Sequence, residues 1–178
     1  MSVTKQTYDF TVQRVVISSS KPVKAVMAAL NSELNVEKSG MFLMRLLAVA
    51  KTRAELYQGI TAMTEGKRDF LLFAAGSQAQ WMNMYLSPEP NFRETIVYTI
   101  GNPLSAQELL KHDMAAGLAI PLKLLLQETE SGGSKILYDL PSSIILAGGQ
   151  PNAELKAALD VTDRQFEALV RIVLDNAN

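Results

Sequence analysis

The sequence predicts a single α+β domain with a mostly antiparallel sheet covered by helices, and three observations lead to this fold class. Five segments have the residue types of strands, and several stretches between them have the apolar spacing of helices. The two kinds of segment do not alternate strictly, as parallel βαβ units require. Hydrophobic residues make up 48 % of the 178 residues, enough to build a sizeable core. We therefore treat residues 1–178 as one domain.

The chain opens with a predicted strand followed by an amphipathic helix. Residues Tyr8 to Ser18 are rich in Phe, Thr and Val, and Phe10, Val12 and Val16 share one side of a period-two pattern, which is typical of a half-buried strand. Pro22 then lies where the first turn of a helix tolerates proline. The apolar residues that follow have helical spacing: Val23, Val26, Met27, Leu30 and Leu34.

The next third of the chain predicts two helices, a strand and a loop. Residues 38–64 have a helical pattern, with a second, shorter helix from Arg53 to Thr64. Asp69 to Phe73 is a short apolar run, which favours a buried strand. Gly76 to Pro90 has no regular spacing and ends in a Pro-Glu-Pro sequence, so we interpret it as a long structured loop.

A strand and a clearly initiated helix come next. Phe92 to Gly101 alternates apolar residues, as strands do. Asn102 can accept a bond from a free backbone N–H, and Pro103 loses nothing by lacking one, so the pair predicts a helix start. This helix is expected to run to about Lys111.

A hairpin follows this helix. Leu118 to Glu128 and Lys135 to Leu140 are apolar strands, and Ser131 to Ser134 is a Gly-Gly turn between them. Pro121 in the first strand predicts an edge position or a bulge, because proline cannot donate to the ladder.

The C-terminal part is expected to be helical. Pro141 to Ala147 predicts a short helix, and helical character resumes at Asn152. Thr162 to Gln165 matches a capping box, so we expect the last helix to begin there. Its apolar face is Phe166, Leu169, Val170, Val173 and Leu174.

Four short pieces of the sequence resemble the domain of unknown function 302 family. They are Ile100-Gly-Asn-Pro103, Asp113-Met-Ala-Ala-Gly-Leu118, Pro121-Leu122 and Tyr138-Asp-Leu-Pro-Ser-Ser143. The resemblance covers roughly Tyr8 to Ser143 and implies a curved antiparallel sheet with helices on one face, similar to the TATA-binding-protein-like group. It also implies an insertion at about residues 38–90 and a C-terminal helical extension at about residues 152–178. For function it implies almost nothing.

Composition excludes several classes of function. Lysine and arginine number 17 against 18 acidic residues, a net charge of -1, so we expect neither a nucleic-acid nor a membrane partner. The chain has no cysteine and one histidine, which leaves no usual metal-ligand set, and we expect no metal and no cofactor. The polar N-terminus lacks the apolar run of a signal peptide, so the expected location is cytoplasmic.

Seven residues are candidates for a functional site. His112 and Asp113 follow a helix end and have the chemistry of an acid–base pair. The remaining five are aromatic or polar residues suited to a ligand pocket: Trp81, Tyr85, Tyr98, Asn102 and Tyr138.

Three hypotheses for function follow from these candidates. The first is the binding of a small, largely apolar ligand between the sheet and the helices. The second is a cofactor-independent isomerase or lyase that uses His112 and Asp113 as the acid–base pair. The third is a structural homo-oligomer, for example a homodimer, without a small ligand. In each reading the aromatic and acid–base residues have a structural alternative, as core, interface or helix-capping groups.

Overall fold

The computed structural model describes residues 2–146 and 153–177. Within these residues the chain forms five strands: β1 (Arg14–Ser19), β2 (Leu71–Ser77), β3 (Thr95–Gly101), β4 (Leu122–Glu128) and β5 (Ser134–Asp139). It also forms α1 (Val23–Glu33), α2 (Met41–Val49), α3 (Arg53–Thr64), α4 (Gln78–Tyr85), α5 (Pro103–Leu110), a 3₁₀ turn (Met114–Leu118), α6 (Pro141–Ile145) and α7 (Ala153–Asn176).

The five strands form one open antiparallel sheet in the order β1-β5-β4-β3-β2. The predicted α+β class and antiparallel sheet are therefore confirmed. The hairpin predicted at Ser131 to Ser134 joins β4 to β5, and its turn is closed by a bond from the Thr129 N–H to the Gly133 carbonyl, 2.9 Å long.

One face of the sheet is covered, chiefly by α1 and α7, and this is where the main core lies. Alternate residues of each central strand point into it, as the period-two pattern requires. Phe166 of α7 is fully buried there, with its ring 4.5 Å from Tyr138 and 5.4 Å from Phe70. The opposite face keeps Val16 and Lys123 exposed.

A second, smaller core holds α2 and α3 against β2. Leu43, Ile60 and Leu71 are buried together there. The two helices predicted for residues 38–64 are confirmed, and α3 has the predicted bounds. The expectation that α3 is the shorter helix is wrong, because α3 has 12 residues and α2 has 9. The Thr52 hydroxyl accepts a bond from the Glu55 N–H and so begins α3.

The strand predicted from Tyr8 to Ser18 is wrong in its first half, because the strand begins at Arg14. The last ladder pair joins Arg14 to Asp139, and β5 ends there before Pro141 opens α6. Residues 2–13 therefore have no strand to pair with, and we call them the N-terminal segment.

The loop predicted from Gly76 to Pro90 is wrong as far as Tyr85, because β2 continues to Ser77 and α4 follows at once. Residues 86–90 form neither helix nor strand, as predicted. The Ser77 hydroxyl accepts a bond of 3.0 Å from the Gln80 N–H, which initiates the helix.

Three further corrections concern the ends of helices and strands. Thr162 does not begin a helix, because it lies inside α7 and its hydroxyl donates to the Ala158 carbonyl at 3.0 Å. Pro121 lies neither at a sheet edge nor inside a strand. It precedes β4, the central strand of the sheet. The predicted helix from Pro141 ends at Ile145 in α6, and residues 147–152 lie outside the described part.

No helix among the described residues combines the length and the apolar character that crossing a membrane would need.

Candidate functional site

The most promising cavity lies between the 3₁₀ turn, α6 and the N-terminal segment, and we call it the Asp113 cavity. Its volume is about 290 Å³. The N-terminal segment contributes Tyr8 and Phe10, and α6 contributes Ile144 and Ile145. The rest of the wall comes from Asp113 and from small or apolar residues of the turn and its neighbour. Asp113 is therefore the one charged residue among the described residues of an otherwise largely apolar wall.

The position of Asp113 follows from its role as the cap of the 3₁₀ turn. Its Oδ1 accepts a bond of 2.8 Å from the Ala115 N–H, and its own N–H donates to the Leu109 carbonyl at the end of α5. These bonds hold the carboxylate at the junction between α5 and the turn. Ala115 and Ala116, which follow it, have short side chains that leave space in the wall.

The N-terminal segment is anchored at its end nearest β1. The Leu140 N–H donates to the Gln13 carbonyl at 2.8 Å, and the Gln13 N–H donates to the Ser143 hydroxyl at 3.0 Å. Phe10 lies between the Asp113 cavity and a more open depression of about 360 Å³ that Ser142 and Ser143 also line. The segment therefore forms one wall of both spaces.

Of the predicted acid–base pair, the structure brings Asp113 but not His112 to this cavity. His112 is half-buried in the turn after α5, and its backbone N–H donates to the Leu109 carbonyl at 3.1 Å. It does not line the Asp113 cavity.

The two aromatic residues predicted on the Gly76–Pro90 segment lie on α4, away from the Asp113 cavity. Trp81 and Tyr85 are 48 % and 79 % exposed. The Trp81 indole N–H donates to the Gln78 side-chain oxygen at 2.9 Å. Neither residue contributes to the wall of the Asp113 cavity.

Tyr98 and Tyr138 are part of the main core. The Tyr98 hydroxyl donates to Asn31 Oδ1 on α1 at 3.1 Å. Tyr138 is buried with its ring against Phe166. Both tyrosines therefore have the structural role that we weighed against ligand binding.

Asn102 has the capping role that the sequence predicts. Its Oδ1 accepts a bond of 3.0 Å from the Leu104 N–H and begins α5. It also lines a small cavity of about 40 Å³ together with Gly101, Pro121 and Leu122. That volume has room for one or a few water molecules and not for a larger ligand.

Sequence reasoning missed Tyr8, Phe10 and Ile144 as cavity residues. The sequence pattern places Tyr8 and Phe10 in a strand. They lie outside it because β5 ends at Asp139, opposite Arg14, and offers them no pairing partner. One local signal did point to this place. Ala115, Ala116 and Gly117, which follow Asp113 after Met114, are three small residues in a row, and small residues beside apolar neighbours leave room for a cavity.

Fold and site together define an open-sheet α+β domain with a small apolar cavity beside a helix-capping carboxylate. The family model for the domain of unknown function DUF302 matches residues 52–172, and the chain belongs to this family. The matched range begins inside residues 38–90, whose interpretation as an insertion stays a prediction, as does the TATA-binding-protein-like grouping.

A solved relative supports the fold. The crystal structure of an uncharacterized conserved DUF302 protein from Bacillus stearothermophilus superimposes with a TM-score of 0.57 at 14 % identity. The similarity covers 93 % of this chain and 98 % of that one. A search of curated proteins finds no match.

Ionisation of Tyr98 is expected to lower the stability of the fold at high pH. Burial, and secondarily the charge of Glu94, raises the pKa of Tyr98 to about 12 from its ordinary value of 10.0. The unfolded chain releases this proton first, so the stabilisation is complete below pH 10 and is lost as pH rises toward 12. We expect the free energy of unfolding to fall by about 2 kcal/mol across this interval from Tyr98 alone.

The measurement is urea denaturation across that alkaline interval for the wild type and for Tyr98→Phe. The variant should show a flatter dependence on pH, whatever it loses at neutral pH with the bond to Asn31. Tyr85→Phe, at an exposed position, is the matched control and should keep the wild-type slope. Equal slopes for the wild type and Tyr98→Phe would contradict the assignment.

Proposed function

We propose that this DUF302 protein binds a small, largely apolar molecule in the Asp113 cavity. The observation that carries the proposal is a space of about 290 Å³ with largely apolar walls and one carboxylate. Ligand pockets in proteins begin at roughly this size and have the same combination of apolar walls and few polar groups. The proposal keeps the ligand class that the sequence suggested and moves the site from α4 to Asp113.

The carboxylate favours a ligand with a hydrogen-bond donor at one end. Oδ1 of Asp113 is used by the Ala115 N–H, and Oδ2 accepts no bond from the part of the chain that the structure describes. An amine or a hydroxyl could donate to Oδ2 while the apolar body of the ligand packs against Ile144 and Ile145. A carboxylic acid of the same shape would be repelled.

One part of the resemblance lines this space and a second part directly precedes its facing wall, which further supports the choice of site. The piece from Asp113 to Leu118 forms the 3₁₀ turn and its cap. The piece from Tyr138 to Ser143 leads into α6, whose Ile144 and Ile145 form the facing wall.

The test uses benzylamine, toluene and benzoate as probes, followed by the methyl signals of isoleucine and alanine in NMR. We expect shifts at Ile144, Ile145 and Ala115 with benzylamine, weaker binding of toluene and no binding of benzoate. Asp113→Asn keeps an acceptor for the cap but removes the charge. It should weaken benzylamine binding about tenfold and leave toluene binding unchanged.

A second variant tests the location. Ala115→Phe fills the cavity from an exposed position and should abolish binding of both benzylamine and toluene. Ala54→Phe, at an exposed position of α3 outside the cavity wall, is the matched control and should bind as the wild type does. Binding that survives Ala115→Phe, or probes that shift no signal in the cavity, would refute the proposal.

A further inference from the structure

Helix α2 exposes an unusual amount of apolar surface. Met41 and Phe42 are 85 % and 61 % exposed, and the helix carries only one charged residue, Arg45. Its other large apolar exposed residues are Met44, Leu47 and Val49. Single exposed apolar residues are common on protein surfaces, but here five occur on one nine-residue helix, and we call these five residues the patch.

The inner side of α2 is firmly packed, so the patch is presented on a fixed support. Leu43 is buried with Ile60 and Leu71. Leu46 lies so close to α3 that a Cβ on Gly59 would be 2.5 Å from one of its methyl groups. These contacts leave the outward face of the helix free, and it presents Met41, Phe42 and Arg45 to solvent.

The charged residues nearest the patch in the chain are mostly cationic. The flanking acids are Glu37 and Glu55, and the Glu55 carboxylate accepts a bond of 2.7 Å from the Lys51 backbone N–H. No aspartate or glutamate occurs between Lys38 and Ala54, whereas Arg45, Lys51 and Arg53 lie in this interval and are exposed. None of these three side chains forms a salt bridge within residues 2–146 and 153–177. The whole chain has a net charge of -1, so this local excess of cations is hidden in the overall balance.

We propose that the outward face of α2 docks on the surface of an anionic phospholipid bilayer. The helix would lie in the plane of the headgroups, with Met41 and Phe42 inserted among the acyl chains and the cations at the lipid phosphates. Nine residues are too few to cross a bilayer but enough to lie on it. This inference does not depend on the proposed ligand, and it replaces our expectation of no membrane partner, which considered net charge alone.

Two features favour a bilayer over a protein partner. A second copy of the chain related by a two-fold axis would bring the cations beside the patch together, which opposes association. The outward face also offers no hydroxyl or amide side chain between Met41 and Val49. Protein interfaces of useful size carry directional hydrogen bonds, whereas the acyl region of a bilayer requires none.

The test is co-sedimentation of the full chain with phosphatidylcholine vesicles, with and without phosphatidylglycerol. We expect binding only when phosphatidylglycerol is present, with a loss at high salt. The double variant Met41→Gln/Phe42→Gln should lower the partition coefficient at least about tenfold. Arg45→Gln should lower it about fivefold. All these positions are exposed, and circular dichroism will show that each variant remains folded.

Helix α4 supplies a matched control. Met84 and Tyr85 are about as exposed as Met41 and Phe42, but α4 has no charged residue. Met84→Gln/Tyr85→Gln should therefore sediment as the wild type does. The proposal is overturned if the wild type does not bind phosphatidylglycerol vesicles, or if the α2 and α4 double variants lose vesicle binding equally. If the wild type self-associates but does not bind vesicles, and Met41→Gln/Phe42→Gln abolishes the self-association, the occupant of the patch is a second copy of the chain and the proposal is overturned.

Discussion

Replacing Phe166 with alanine should lower the free energy of unfolding by about 4 kcal/mol. The ring is fully buried and contacts two aromatic residues, Phe70 edge-on at 5.4 Å and Tyr138 at 4.5 Å. Truncation removes the transfer energy of the ring, leaves a cavity and breaks both aromatic contacts. Because Phe166 joins α7 to the sheet, the change weakens the attachment of the longest helix.

Urea denaturation at neutral pH measures this effect, and α7 itself offers the control. Ile172 lies on the same helix but is exposed. Ile172→Ala should cost less than about 1 kcal/mol. If the two variants lose equal stability, α7 does not pack on the sheet through Phe166.

The second large effect is expected for Gly133→Ala, at about 3 kcal/mol. A Cβ at this position would lie 2.4 Å from the Ser19 carbonyl oxygen and 3.2 Å from Ser20 Cα. Both are backbone atoms, so no side-chain rotation can relieve the overlap. The end of β1 would have to move away from the β4–β5 turn, which disrupts its pairing with Ser134.

Substitution of the adjacent Gly132 distinguishes the cost of steric overlap from the cost of an unfavourable backbone conformation. Gly132 has φ +80°, and no atom lies within 4 Å of the place that an alanine methyl group would occupy. Gly132→Ala should therefore cost only about 1 kcal/mol, from its left-handed backbone alone. Thermal and urea denaturation of the two variants should rank Gly133→Ala as clearly the more damaging. The reverse order would mean that the turn conformation matters more than the contact with β1.

Gly132 and Gly133 show which structural information a local sequence pattern contains and which it lacks. Two glycines between apolar runs predict a hairpin, and the structure confirms it. The pattern treats both glycines alike, however. Only the return of β1 alongside β5 makes Gly133 a point of close contact and leaves Gly132 in the open.

One short motif occurs twice with opposite outcomes. Ser77 and Gln80 have the same spacing as Thr162 and Gln165, and both pairs match a helix-capping pattern. At Ser77 the preceding residues belong to β2, so the hydroxyl is available to the Gln80 N–H and α4 begins. At Thr162 the preceding turn is already helical, because α7 begins at Ala153 and buries Leu159 in the main core. Its hydroxyl then bonds to the carbonyl of Ala158 instead.

The candidate site was only partly predictable for a related reason. Aromatic residue type alone does not say whether a side chain faces a cavity, the core or solvent. Tyr98 and Tyr138 belong to the core, whereas Trp81 and Tyr85 are exposed on α4. Asp113 is predictable because its position beside the single histidine and after a helix end is visible in the chain order.

The sequence by itself determined the α+β class, the antiparallel sheet, the helix start at Asn102 and the hairpin at Gly132 and Gly133. All of these depend on periodicity, capping and turn residues that act within a few positions along the chain. Only the tertiary structure decided where β1 begins, that α7 is continuous, and that Tyr8 and Phe10 join Asp113 around one cavity. The physical reason is that pairing partners and shared walls come from residues more than a hundred positions apart, which no local pattern encodes.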